Sequence, residues 1–207
     1  MRRGDSSIEM VYFERSQKLI LLIMGKFISD IEQYIAVTKA FSTFSRTHNI
    51  TRKDIESLFD FCSGLEDSER LNGLKRNIII RFFSLVEGDL FHLNKFDQYP
   101  NYKDNEDFQT KFKSTINQVY TTWERTEALN RYRDSKIKNF WILKKWRDKI
   151  THPKTPEDLN TETLSLKFIE SVFTDYRDFL QELVKDFFIS TDLKTAIVAA
   201  ELSRNSK

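Results

Sequence analysis

Apolar residues recur at helical spacing along almost the whole chain, and no stretch shows the period-two alternation of a strand. From about Ser7 to Arg46, the residues Ile20, Met24, Phe27, Ile31, Tyr34, Thr38 and Phe41 follow in alternating steps of four and three, which predicts one long helix with a heptad stripe. Such a stripe packs inside the fold or against a second copy, and the intramolecular core is the simpler use of it. After His48-Asn49, the run Thr51-Arg52-Lys53-Asp54 reads as an N-cap with an acid at the third helical position, opening a short helix to about Cys62 that Ser63-Gly64 closes. A third helix is expected from about Ser68 to Phe96. It is apolar almost all round, with Ile78, Ile79, Ile80, Phe82, Phe83, Leu85, Val86, Leu90, Phe91 and Leu93, the pattern of an element at the centre of a bundle. Glu87 and Asp89 interrupt it. A buried carboxylate is costly without a partner, so Asp89 is expected to meet a lysine or tyrosine inside the bundle. Gly88 between them lowers helix propensity and is read as room for close helix approach.

Asp97 to Asp107 is polar and turn-rich, the clearest internal loop. Helical periodicity then resumes over Phe108–Arg133 and Ser135–Ile150, with a bend expected at Asp134-Ser135. A second loop covers His152 to Thr161. Leu164 to about Ile189 is another amphipathic helix, with Phe168, Val172, Tyr176, Phe179, Leu183 and Phe187 along one side, and Ser190-Thr191-Asp192 caps a final short helix through Leu202. The only prolines, Pro100, Pro153 and Pro156, fall at these breaks. The predicted fold is all-α, a bundle of five to seven helices.

Composition narrows the class. At 207 residues, 40% apolar and 31% charged with 18 phenylalanines, the chain is a globular one with a sizeable core. Its net charge is only +2, but the charge is unevenly distributed. Residues 131–154 carry nine bases against Asp134 and Asp148, a local +7, whereas residues 155–187 carry eight acids against three bases, a local −5. One cysteine, Cys62, excludes an internal disulfide and a cysteine metal cage, and three scattered histidines do not make a zinc site, so neither a metal nor a cofactor is expected. His48 and His92 have no sequence neighbours that would make a site. The start Met1-Arg2-Arg3 lacks signal-peptide architecture, and the longest apolar run, Leu19 to Met24, falls well short of the roughly 20 residues of a membrane span. A soluble, cytoplasmic protein without membrane attachment is expected.

The candidate chemistry sits in Trp146-Arg147-Asp148-Lys149-Ile150-Thr151-His152-Pro153. Phe140, Leu143, Arg147 and Ile150 share one helical line in steps of three, four and three, so Arg147 stands where the pattern calls for an apolar residue. In an unbroken helix His152 would lie about 140° around the axis from Arg147. Pro153 disfavours the α conformation before it, so the helix is expected to end near Ile150 or Thr151, leaving His152 free to swing toward the arginine's face. An always-charged phosphate fork beside a group that exchanges protons near neutral pH is a kit for cleaving a phosphodiester. Glu87, on a neighbouring apolar helix, is the candidate for holding Arg147 in place. Lys144, Lys145 and Lys149, interleaved with Trp141 and Trp146, are candidate RNA contacts, with Trp146 assigned to the core. Thr151 and Asp148 are read as solvent-facing.

The run Arg147-Asp148-Lys149-Ile150-Thr151-His152 resembles the R-x4-H motif of the HEPN superfamily, small all-helical proteins that include metal-independent RNases of prokaryotic toxin and antiphage systems. Two further features are similar: the helix carrying Phe82-Phe83-Ser84-Leu85-Val86-Glu87-Gly88, and the loop from Pro153 to Thr161 leading into a long amphipathic helix. The resemblance covers roughly residues 70–188. It implies a HEPN-like domain over 70–207 with an N-terminal helical extension over 1–69, a catalytic site of Arg147, His152 and Glu87, an RNA substrate, a homodimer that brings two copies of His152 to one cleft, and an antitoxin or regulatory partner. Two other readings remain open: a non-catalytic HEPN-like module that binds RNA or a partner protein, and a helical adaptor in which the motif is coincidental.

Overall fold

The computed structural model describes residues 31–65, 68–97, 101–122 and 137–184. Five helices lie within them: α1 (Ile31–Cys62), α2 (Ser68–Asp97), α3 (Phe108–Thr122), α4 (Ile137–Thr151) and α5 (166–184), with a short 3-10 turn at Pro156–Leu159. No strand occurs among the described residues, and the chain is an all-α bundle. The bend expected at Asp134-Ser135 and the final helix after Ser190 lie outside the described residues.

The all-round apolar pattern of α2 puts it where the sequence places it, packed against α1, α3 and α4. Ile78, Ile79, Phe82, Val86 and Leu93 are fully buried, while Ile80 remains more than a third exposed. Phe82 is the junction. Its ring meets Phe140 of α4 at 6.0 Å and Phe173 and Tyr176 of α5 at 5.8 and 5.5 Å, all edge to face, the arrangement that the ring quadrupoles favour. Phe83 extends the cluster to Phe108 of α3 at 5.5 Å, and Phe140 to Phe112 at 5.0 Å.

α1 departs from expectation in two ways. There is no break at His48–Asp54. Thr51 is not a cap: its hydroxyl donates to the Thr47 carbonyl at 3.1 Å, the back-bond of a threonine inside a helix, and Arg52 bridges to Glu56 one turn on at 2.6 Å. Burial of Phe44, Ile55 and Phe59 in the shared core carries the helix through a local stop signal. The heptad stripe is also out of phase here, because Thr38 is exposed and Val37 buried, with Phe41 half-buried. A four-three alternation averages 3.5 residues per turn against 3.6 for a straight helix, so a face extrapolated from Ile20 drifts by roughly 20° every heptad. Ile20, Met24 and Phe27, and the side chains of Ile31 and Tyr34, lie outside the described residues.

Asp89 is 2% exposed and finds a tyrosine, as expected: the Tyr176 hydroxyl donates to it at 3.0 Å. The sequence did not foretell its second partner, His48, whose Nδ1 lies 2.9 Å from the carboxylate. Burial pushes the Asp89 carboxyl up, against the pull of the His48 and Tyr176 hydrogen bonds, and burial likewise raises the Tyr176 hydroxyl. Gly88 makes no close approach, since a Cβ there would meet nothing within 4 Å. α5 begins where Ser165 Oγ accepts the Phe168 N–H at 3.1 Å, and Val172, Tyr176, Phe179 and Leu183 are buried as predicted, with Phe187 outside the described residues. No helix among the described residues is long and apolar enough to cross a membrane.

Candidate functional site at the end of α4

Phe140, Leu143 and Ile150 fix the roll of α4 by burying against the core, which leaves Arg147, on the same line, at the edge of the α2–α4 contact. Its Nη2 donates to Glu87 Oε1 at 3.0 Å, so the two polar interruptions of two apolar helices meet across the helix interface. The pair is not sealed, with the side chains 24% and 37% exposed. Nη1 lies 3.5 Å from Asp148, and the five N–H donors of a guanidinium leave capacity for a further anion.

The helix ends at Thr151. Thr151 Oγ1 donates to the Arg147 carbonyl at 2.9 Å, and the His152 backbone N–H donates to the Asp148 carbonyl at 3.0 Å, which closes the last turn before Pro153. The His152 side chain is exposed, and its ring makes no hydrogen bond among the described residues, so the expected swing toward Arg147 does not become a contact. Asp148 and Thr151 do not orient it. Asp148 accepts from Lys144 at 2.6 Å and lies beside Arg147, and the Thr151 hydroxyl is spent on backbone carbonyls.

The loop after the motif is held by α2, a feature that sequence reasoning missed. Arg76 donates to the Leu159 carbonyl at 2.8 Å, the buried Lys75 to the Thr161 carbonyl at 3.2 Å, and the Thr161 hydroxyl to Asn72 Oδ1 at 3.2 Å. The available signal was Lys75-Arg76 at the head of an otherwise apolar helix. Nearer the motif, Asp158 accepts the N–H groups of Lys154 and Thr155 at 2.9 and 3.3 Å, which hold its carboxyl below the usual range.

The three candidate lysines differ in their surroundings. Lys145 and Lys149 are exposed, and Lys149 Nζ lies 5.5 Å over the Trp146 ring, within cation–π range. Lys144 is half-buried and paired with Asp148, so it must give up that partner to meet a phosphate. Trp146 packs on the core, as does Trp141, whose ring lies edge-on to Phe140 and Phe112 at 5.2 and 5.4 Å. Acids also stand nearby. Asp107 caps α3 by accepting from the Thr110 hydroxyl, the Thr110 N–H and the Gln109 N–H, which lowers its pKa, with a smaller contribution from Lys144. Tyr102 donates to Asp104 at 3.0 Å, and its hydroxyl is raised by burial first and then by the charges of Asp104 and Glu87. Among the described residues no group of three or more His, Cys, Asp or Glu side chains is arranged to hold a metal.

An ion pair this exposed stabilises little, because water screens it and both long side chains lose rotamer freedom. Glu87→Gln is therefore expected to shift the urea unfolding free energy by no more than about 1 kcal/mol. A loss of several kcal/mol would mean that the pair is a structural keystone rather than a positioning device. Comparison with family models, with curated proteins and with solved structures finds no match to this chain.

Proposed function

We propose that this chain is a metal-independent endoribonuclease of HEPN type, working as a homodimer in the cytoplasm as a toxin or antiphage defence effector. The observation that carries this reading is the 3.0 Å Glu87–Arg147 pair, which holds a partly exposed guanidinium at the edge of the α2–α4 contact, five residues before an exposed histidine. The 2′-hydroxyl of the RNA attacks the adjacent phosphorus and passes its proton to His152. The bond from phosphorus to the 5′-oxygen breaks, and that oxygen takes a proton from His152 of the second copy. Arg147 stabilises the charge on the non-bridging oxygens, with Lys145 and Lys149 on the flanking backbone. The products are a 2′,3′-cyclic phosphate and a 5′-hydroxyl.

A second reading has its own observation. The His152 ring lacks an orienting partner among the described residues, and Lys144 is already paired, which suits a helical module that binds RNA or a partner protein without cleaving it. Labelled RNA incubated with the purified protein in excess EDTA separates the two, with His152→Ala protein as the control for contaminating nucleases. The nuclease reading expects cleavage by wild type alone, leaving cyclic phosphate ends. Binding without cleavage would favour the module, and equal cleavage by both proteins would remove His152 from the chemistry.

A further inference from the structure

Residues 101–107, which lead into α3, are tied to the helix that holds Arg147. Phe91 follows Glu87 by one turn of α2, and its ring meets the Tyr102 ring edge to face at 6.4 Å. Tyr102 is half-buried there, near enough to Glu87 for that charge to act on its hydroxyl. The hydroxyl donates to Asp104 Oδ1 at 3.0 Å. From α3, Lys111 donates to the Asp104 carbonyl at 3.2 Å, and within the segment the Glu106 N–H donates to the Lys103 carbonyl at 3.3 Å.

An exposed carboxylate is ordinarily left to water. Asp104 is exposed, yet one of its oxygens is fixed by Tyr102 and its backbone by α3, while Oδ2 is bonded to no described residue. A carboxylate near a phosphate-binding arginine repels the RNA backbone, so what it can accept there is an N–H group of a base. Guanine alone sets two such donors side by side on its Watson–Crick edge, N1–H and the N2 amino group, matching the two oxygens of one carboxylate. Against adenine, cytosine or uracil the second oxygen would face a lone pair. Each carboxylate oxygen accepts more than one bond, so the Tyr102 contact leaves both available. That edge is open to a protein where the RNA is single-stranded.

We propose that Asp104 reads guanine at the nucleotide next to the scissile phosphate of single-stranded RNA, with Tyr102 as the positioning residue that fixes its carboxylate. The inference rests on the nuclease reading, which puts that phosphate on Arg147. An unstructured RNA of mixed sequence is incubated with the full chain in excess EDTA, and the cuts absent from His152→Ala protein are mapped. Cuts beside guanosine exceed those beside any other base by about tenfold or more, the discrimination of one good bidentate contact. Asp104→Asn sets an amide donor against guanine's own donors and levels the four bases, while cutting beside the other three keeps its wild-type rate. Tyr102→Phe keeps the ring but releases the carboxylate, so the guanosine preference falls with the other cuts and the melting temperature unchanged. Asp60→Asn, an equal change of charge at an exposed site in the last turn of α1, alters nothing. Cutting by wild type without a guanosine preference overturns this inference alone, as does a preference that survives Asp104→Asn or Tyr102→Phe intact. No cutting at all overturns the nuclease reading and this inference with it.

Discussion

Replacing His152 by alanine is expected to slow RNA cleavage by about 100- to 10,000-fold, the usual contribution of a positioned general acid–base group. The melting temperature should stay where it is. His152 is exposed, its ring is bonded to no described residue, and the bond that closes the helix runs through its backbone N–H, which alanine keeps. Initial rates on labelled RNA and thermal melts of the same preparations measure both. Arg147→Lys sharpens the test: it retains the charge but loses the planar fork, so a rate well below wild type at similar stability marks phosphate recognition rather than simple charge. A His152→Ala rate within a few-fold of wild type would end the nuclease reading.

Phe82→Ala is expected to destabilise the fold by about 3–5 kcal/mol, the range for truncating a buried phenylalanine. Phe82 has no exposed surface, and its ring is shared by α2, α4 and α5. Two losses combine: the transfer of a large apolar group into the core, and the edge-to-face contacts with Phe140, Phe173 and Tyr176, which partial collapse of the cavity cannot restore. Phe82→Leu keeps most of the volume and should cost clearly less. Urea unfolding followed by circular dichroism decides the matter, and a loss under about 1 kcal/mol would show that the core closes around the gap.

The central helix was legible because all-round hydrophobicity leaves a helix nowhere to sit but inside. The Glu87–Arg147 contact was legible for a related reason: each is a polar interruption of an otherwise apolar run, and the two meet at the edge of the α2–α4 contact. Two other features were harder to read. The capping signal at Thr51 is local, and the core contacts of Phe44, Ile55 and Phe59 outweigh it, so α1 runs on. The His48–Asp89 bond joins residues 41 positions apart, and periodicity carries no record of such a pairing. Lys144–Asp148, by contrast, follows the spacing of one helical turn and could have been read from the chain, which would have reduced the weight given to Lys144 as an RNA contact.

The grip of α2 on both ends of the motif region makes that helix a ruler. Glu87 holds Arg147, and Lys75, twelve residues earlier on the same helix, holds the Thr161 carbonyl. Twelve helical residues measure about 18 Å, so the span between the arginine and Thr161 is set by a rigid rod and not by the loop that joins them. Residues 153–158 are thereby relieved of any duty to set distances. Among the described residues they are a stretch whose length could change while the geometry on either side stayed the same.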